Sequence, residues 1–195
     1  MKKNADYAIA LKIRKVKNGE EIDESCSKFY GAPTLPESLL NNYPEECVFF
    51  LQINCEELKD VDPDNRLPHK GYLYFFLDAQ MYPSDEFGIL VNYTLEIPKY
   101  IIDDFNENSP IDEGLNEPYI ITFEKVDKYY KGTKLLGCPS NYVSEYNDKL
   151  DLLLQYDPLE FNVPFLSTCD GYAFVFFGKT KNTKFSKASF EVVSS

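Results

Sequence analysis

Tryptophan is missing from the 195 residues, histidine occurs once, at His69, and arginine occurs only at Arg14 and Arg66. A single histidine excludes a histidine-rich zinc site, and the five cysteines (Cys26, Cys47, Cys55, Cys138, Cys169) include no C-x-x-C pair. An odd number of unpaired cysteines reads as reduced thiols in a reducing compartment. No G-x-S-x-G, G-x-G-x-x-G or G-x-x-x-x-G-K-[ST] occurs, so a nucleophile elbow and a phosphate cradle are both absent. No window approaches the roughly 20 apolar residues of a membrane span. The opening "MKKNADYAIALKI" lacks the apolar core of a signal peptide. The expectation is a soluble, cytoplasmic protein with no membrane association.

What is abundant is aromatic and acidic. Fifteen Tyr and fifteen Phe favour strands, and twelve prolines leave little room for long helices. A net charge of −12 opposes nucleic-acid binding, which draws its affinity from cations on phosphate. Basic residues gather near the ends: Lys2, Lys3, Lys12, Arg14, Lys15 and Lys17, then Lys179, Lys181, Lys184 and Lys187. They read as solvated strand edges, where lysine blocks unwanted pairing. The segment 102–117 holds six acidic residues and no basic one, and reads as an exposed connector.

Apolar runs, several with period two, predict strands over 7–14, 47–54, 71–78, 89–97, 119–126, 150–157, 171–178 and 189–193. Short helical turns are expected over 36–43, 55–60, 98–105 and 141–148.

One pattern is written twice. Gly31-Ala-Pro33 precedes "FFLQIN" with Gln52, and Gly71-Tyr72 follows; Gly137-Cys-Pro139 precedes "LLLQYD" with Gln155, and Gly171-Tyr172 follows. The Gly-to-Gln gaps are 21 and 18, and the Gln-to-Gly gaps 19 and 16. A repeat this long predicts an internal duplication rather than a solenoid unit. The expected fold is α+β, mainly antiparallel β, with two related halves packed as one unit within a single domain, 1–195. The N-terminal half covers about 1–100, the connector 102–117 and the C-terminal half about 118–195. A glutamine inside an apolar strand needs partners for its amide. Gln52 and Gln155 are therefore expected to bond a neighbouring strand or, reciprocally, the opposite half. The aromatic strand faces led by Gly71 and Gly171 are expected to meet at the seam.

"SKFYGAPTLPESL", "FFLQINCEEL", "LPHKGYLYFFLD", "LLGCPSN", "LLLQYD", "GYAFVFF" and "FSKASFEV" occur in an order that resembles the YwqG-like family of uncharacterised bacterial proteins. The resemblance implies a strand-rich fold of two similar halves and brings no catalytic residue. Family members near secreted-toxin genes imply an immunity or partner-binding role.

Two weaker patterns complete the reading. "DVDPDN" spaces Asp60, Asp62 and Asp64 like the start of a calcium loop, but Asn65 replaces the loop's glycine, which favours a solvated turn. A Cys–His nucleophile would need Cys47 or Cys55 to meet His69 in space. No catalytic residue, metal or cofactor is assigned. The expected function is non-enzymatic binding of another protein, a basic toxin or enzyme in the immunity version. The alternative is a small-molecule site or hydrolase in a crevice between the halves. Candidate binding residues are Gln52, Gln155, Tyr72, Tyr74, Tyr172 and Phe174, with core packing as the competing role for the aromatics.

Overall fold

A computed structural model describes residues 6–40, 47–78, 88–103, 114–140, 150–163, 166, 171–178, 185 and 188–194. Its strands are β1 (Tyr7–Lys15), β2 (Lys28–Phe29), β3 (Thr34–Leu35), β4 (Cys47–Asn54), β5 (Tyr72–Asp78), β6 (Gly88–Thr94), β7 (Tyr100–Ile101), β8 (Tyr119–Asp127), β9 (Lys134–Leu135), β10 (Leu150–Tyr156), β11 (Gly171–Gly178) and β12 (Ser189–Ser194). A single short helix, α1 (Glu37–Leu40), is present among the described residues, with 3-10 turns at Cys55–Leu58 and Pro158–Glu160. Within the expected turn over 98–105, Tyr100–Ile101 form the strand β7 and 104–105 lie outside the described residues, as does the turn expected over 141–148.

Ten strands form one antiparallel sheet in the order β12-β11-β10-β9-β1-β8-β2-β4-β5-β6, and β3 pairs with β7 in a separate ribbon. The two edge strands, β6 and β12, come beside one another, so the sheet curls into a nearly closed barrel. This overturns the expectation of an α+β fold with two duplicated halves packed together. The long pairing of β1 with β8 runs through the middle of the sheet, from Tyr7 opposite Asp127 to Lys15 opposite Tyr119. Hydrogen bonding is continuous across the place where a seam was expected. It also corrects the reading of Lys12, Arg14 and Lys15 as edge lysines. They lie on an interior strand and point to solvent, where Lys12 meets Glu124 and Lys15 meets Glu117.

The inner face carries the main core. Ile9, Leu11, Phe29, Phe50, Leu73, Phe75, Tyr119, Tyr156, Val175 and Phe177 all belong to it. Phe161 enters from the turn after β10 and stacks on Tyr156, with centroids 4.5 Å apart, and meets Phe29 edge-on at 4.9 Å. Such ring pairs contribute roughly 0.5–1.5 kcal/mol beyond their area. Tyr30 and Tyr156, both fully buried, join hydroxyls at 2.6 Å. At the described end of the connector, Gly114, Asn116 and Glu117 are exposed, while Leu115 is buried and its carbonyl accepts from Gly31 N.

The matched aromatics do not face one another. Tyr74 and Phe76 pack on the outer face with Phe49, under Leu35 of β3 and Leu39 of α1. Phe174 and Phe176 form a different outer cluster with Leu152. A bulge in each neighbouring strand sets the direction of the glutamines. The β4–β5 register shifts between Phe49 and Leu51, and the β10–β11 register between Leu152 and Leu154. Each extra residue places two successive side chains inward, Phe50 with Leu51 and Leu153 with Leu154. The following glutamine therefore turns outward.

Beside Gln155 in register lies Lys134, which is fully buried. Its Nζ donates to the carbonyls of Tyr130, Cys138 (2.6 Å) and Lys128 (3.4 Å). Burial pulls its pKa down from 10.5 to about 8. The unfolded chain therefore binds more protons between these values, and this residue makes stability rise with pH across that window. Against Lys134→Met, the wild-type advantage in urea unfolding is expected to widen by up to about 3 kcal/mol from pH 8 to 10.5. Tyrosines and cysteines titrate in both proteins and cancel. A flat or narrowing difference would contradict the assignment.

Candidate binding surface

The six residues singled out from sequence divide into two separate groups. Gln52 and Gln155 are both fully buried. Gln52 Nε2 donates to the carbonyls of Glu24 (3.1 Å) and Cys26 (2.9 Å), while its Oε1 accepts from Thr34 N at 3.1 Å. Gln155 Nε2 donates to the carbonyls of Lys131 (2.9 Å) and Gly132 (3.0 Å), and its Oε1 accepts from Ser140 N at 2.9 Å. Each glutamine pins the loops before and after a two-residue strand, β2 or β9, to its own strand. The reciprocal bonding expected across an axis does not occur. Tyr74 is buried and donates to Thr34 O at 2.8 Å; half-buried Tyr72 stacks on it at 6.3 Å. Tyr172 lies 6.0 Å from the buried Phe174 in the other outer cluster. The structure does not gather the four rings into one wall.

His69 is committed elsewhere. Its Nε2 lies 3.1 Å from Asp62 Oδ2, and the same carboxylate accepts from Leu67 N (2.8 Å), Arg66 N (3.1 Å) and the Tyr7 hydroxyl. "DVDPDN" is a turn with Asp60, Pro63, Asp64 and Asn65 exposed, and Asp62, fully buried, ties it to the core. Burial and then the Asp62 carboxylate push the Tyr7 phenol well up. No group of three or more potential metal-binding side chains gathers among the described residues. Burial pushes the Cys55 thiol up to about 12, the reverse of an activated nucleophile. No disulfide joins Cys26, Cys47, Cys55 or Cys138. A shallow depression too tight to hold a water molecule is lined by Arg66, Leu136, Gly137, Asp151 and Leu152, and the Arg66–Asp151 ion pair at 2.8 Å lies along it.

The surface that stands out was not singled out from sequence. From the end of β6 to β7, Tyr93, Leu95, Ile97, Tyr100 and Ile101 are 41%, 69%, 71%, 40% and 46% exposed. Isolated exposed apolar residues are ordinary; here five fall along one short connection. The backbone beneath them is tied down. The Tyr93 hydroxyl donates to Lys70 O at 3.1 Å, Glu96 N to Thr94 Oγ1 at 3.0 Å, and Ser38 N to Glu96 Oε2 at 3.4 Å. Lys99 N donates to Leu35 O at 3.0 Å and Ile102 N to Pro33 O at 3.1 Å. The connection is thus held at Tyr93, Glu96, Lys99 and Ile102, with Leu95 and Ile97 exposed between these points. Preorganisation of this kind lowers the entropic cost of binding.

The class these observations define is an antiparallel β protein whose ten-stranded sheet curls into a nearly closed barrel beside a two-stranded ribbon, with exposed apolar residues between β6 and β7. The family described as a domain of unknown function, DUF1963, matches residues 27–93, from just before β2 almost to the end of β6. No curated protein and no solved structure matches the chain. No helix among the described residues is long and apolar enough to cross a membrane.

Proposed function

We propose that this chain works by binding another protein rather than by catalysis, and that it is a YwqG-like protein acting as an immunity or inhibitor factor in the cytoplasm. The observation that carries the reading is the ridge: Leu95, Ile97, Tyr100 and Ile101 exposed on a tied backbone. Burying a leucine or isoleucine contributes about 1.5–3 kcal/mol, so a few such anchors suffice for a specific complex. The net charge of −12 favours a basic partner by steering its approach. The competing reading is a ligand site or hydrolase, whose sign would be turnover of a small substrate.

The test is capture of a partner from native cells by wild type and by Leu95→Asp with Ile97→Asp. Both positions are exposed, so stability should change by no more than about 0.5 kcal/mol per site. Capture is expected to fall at least about 100-fold, the equivalent of two lost anchors. For the immunity version, co-expression with a toxic neighbouring gene should rescue growth with wild type and not with the double variant. Undiminished capture by the variant, or turnover of a small substrate by the purified chain, would overturn the proposal.

A further inference from the structure

We infer that Asn18–Gly19 is a site of spontaneous covalent conversion, where the asparagine side chain loses its amide and aspartyl and isoaspartyl products form, and that the Arg14–Glu20 ion pair restrains the reaction. The inference is independent of the binding reading.

Asn18–Gly19 is the one Asn–Gly pair in the chain. Asparagine is a thermolabile residue. Its side-chain carbonyl carbon is open to attack by the backbone nitrogen of the next residue. Glycine, with no Cβ, hinders that nitrogen least. The structure presents the pair openly. Both residues are exposed on the turn that follows β1, and nothing lies within 4 Å of where a Gly19 side chain would begin.

The chemistry balances with water alone. The Gly19 N–H gives its proton to solvent, and the nitrogen bonds to Asn18 Cγ. The Cγ–Nδ2 bond breaks, and ammonia leaves with a proton taken from solvent. Water then opens the cyclic imide. Cleavage of the new bond at Cγ gives aspartate. Cleavage at the main-chain carbonyl gives isoaspartate, whose extra methylene lies in the backbone. Nothing is oxidised or reduced, and either product adds a negative charge.

The turn opposes the first step. Glu20 N donates to Lys17 O at 2.9 Å, which closes a β-turn over 17–20. Gly19 has φ +78° and Asn18 has no positive φ, the type II arrangement. Ring closure requires the Asn18–Gly19 peptide to rotate out of it. The Glu20 carboxylate holds it in place. It accepts from Lys17 N at 2.9 Å and takes both Arg14 guanidinium nitrogens, at 2.9 and 2.7 Å. Bidentate pairs of this kind fix geometry as well as charge. Arg14, and then Lys17 N, pulls the Glu20 carboxyl down to about 2, so the clamp persists through the neutral range. Conversion therefore proceeds through the fraction of molecules in which the turn is open. Isoaspartate, once formed, lengthens the backbone between Lys17 and Glu20 and disfavours reclosure. The next ties downstream are the carbonyls of Glu24 and Cys26, held by Gln52 Nε2, so the change stays local to the turn.

The test ages the full purified chain near neutral pH and maps its peptides by mass spectrometry. Isoaspartate is read by enzymatic methylation of its free α-carboxyl group. Wild type, Asn18→Gln and Glu20→Ala are compared, folded and in urea. Folded wild type is expected to show amide-to-acid exchange in the peptide holding Asn18, with both products present and more conversion there than at any other asparagine. Asn18→Gln, which would need a larger ring, should stay unchanged at that position. Folded Glu20→Ala should convert at least about 3-fold faster than folded wild type, as for a barrier relieved of exposed hydrogen bonds. In urea the two should convert alike. Conversion of Asn18 in urea but in neither folded protein would overturn the site. Equal rates for folded wild type and folded Glu20→Ala would overturn the restraint assigned to Arg14 and Glu20.

Discussion

Gly71→Ala is expected to lower the melting temperature by about 10 °C, a loss of roughly 3–4 kcal/mol for a chain of this size. Gly71 sits just before β5 with φ +78°, and a Cβ there would lie 2.1 Å from the carbonyl oxygen of Thr94 and 3.2 Å from Cα of Leu95. Both obstacles are backbone, so no side-chain rotation relieves them. The glycine cannot simply withdraw, because its own carbonyl accepts from Cys55 N at 2.9 Å. The only remedy is to push apart the turn before β5 and the end of β6. Gly19→Ala is the control. It also has a positive φ, +78°, but nothing lies within 4 Å of where its methyl group would sit. It should cost about 1 kcal/mol, the ordinary penalty of left-handed backbone for a side chain. Equal effects at the two sites, read from thermal melts, would show that the close approach to Thr94 is wrong. Because Thr94 and Leu95 begin the ridge, Gly71→Ala should also weaken partner binding in whatever fraction stays folded.

Gln52→Leu and Gln155→Leu should each cost about 3 kcal/mol, although leucine fits the volume. Each substitution leaves a backbone N–H without its acceptor, Thr34 or Ser140, and two carbonyls without their donor. Buried groups stripped of partners cost about 1–3 kcal/mol apiece, partly recovered by relaxation. The double variant carries a sharper message. Strands β4 and β10 are separated in the sheet by β2, β8, β1 and β9. At about 4.8 Å per strand the two sites are far apart, so their effects should add within about 0.5 kcal/mol. Reciprocal glutamine bonding would instead produce strong coupling. Urea unfolding of the two single variants and the double decides between them.

Much of the strand inventory was legible in the residues. The runs at 47–54, 150–157 and 171–178 correspond closely to β4, β10 and β11, because long aromatic and aliphatic stretches suit a sheet covered on both faces. Lengths and faces were less legible. A bulge adds one residue and leaves no compositional trace, yet it decides that Gln52 and Gln155 turn away from the inner core. The strands β2 and β9 are two residues long and each contains a buried lysine, Lys28 or Lys134, so no apolar alternation announces them. Repetition of the G-x-P, glutamine and Gly-Tyr elements led to the expectation of two packed halves. Local similarity does not determine where hydrogen bonding stops, and here the β1–β8 pairing carries it through.

The ridge was hidden for a related reason. The alternation of "LVNYTLEI" reads as one half-buried strand through Ile97, which places Leu95 and Ile97 on a covered face. The pairing of β6 with β5 ends at Thr94, opposite Tyr72. Beyond that point there is no sheet for the apolar side chains to cover, and they emerge into water. Likewise "PKYIIDDF" has proline at a good first helical position, but the carbonyls of Pro33, just before β3, and of Leu35 capture the amides of Ile102 and Lys99 and set β7 in place.

The most direct test of the account is photo-cross-linking in native cells, with a photoreactive residue placed singly at Ile97, Tyr129 or Leu159. All three are exposed, at 71%, 65% and 83%, so accessibility does not favour the ridge. A cross-link to one basic protein from position 97, with none from 129 or 159, is the predicted result. The same protein cross-linked from 129 or 159 and not from 97 would contradict it.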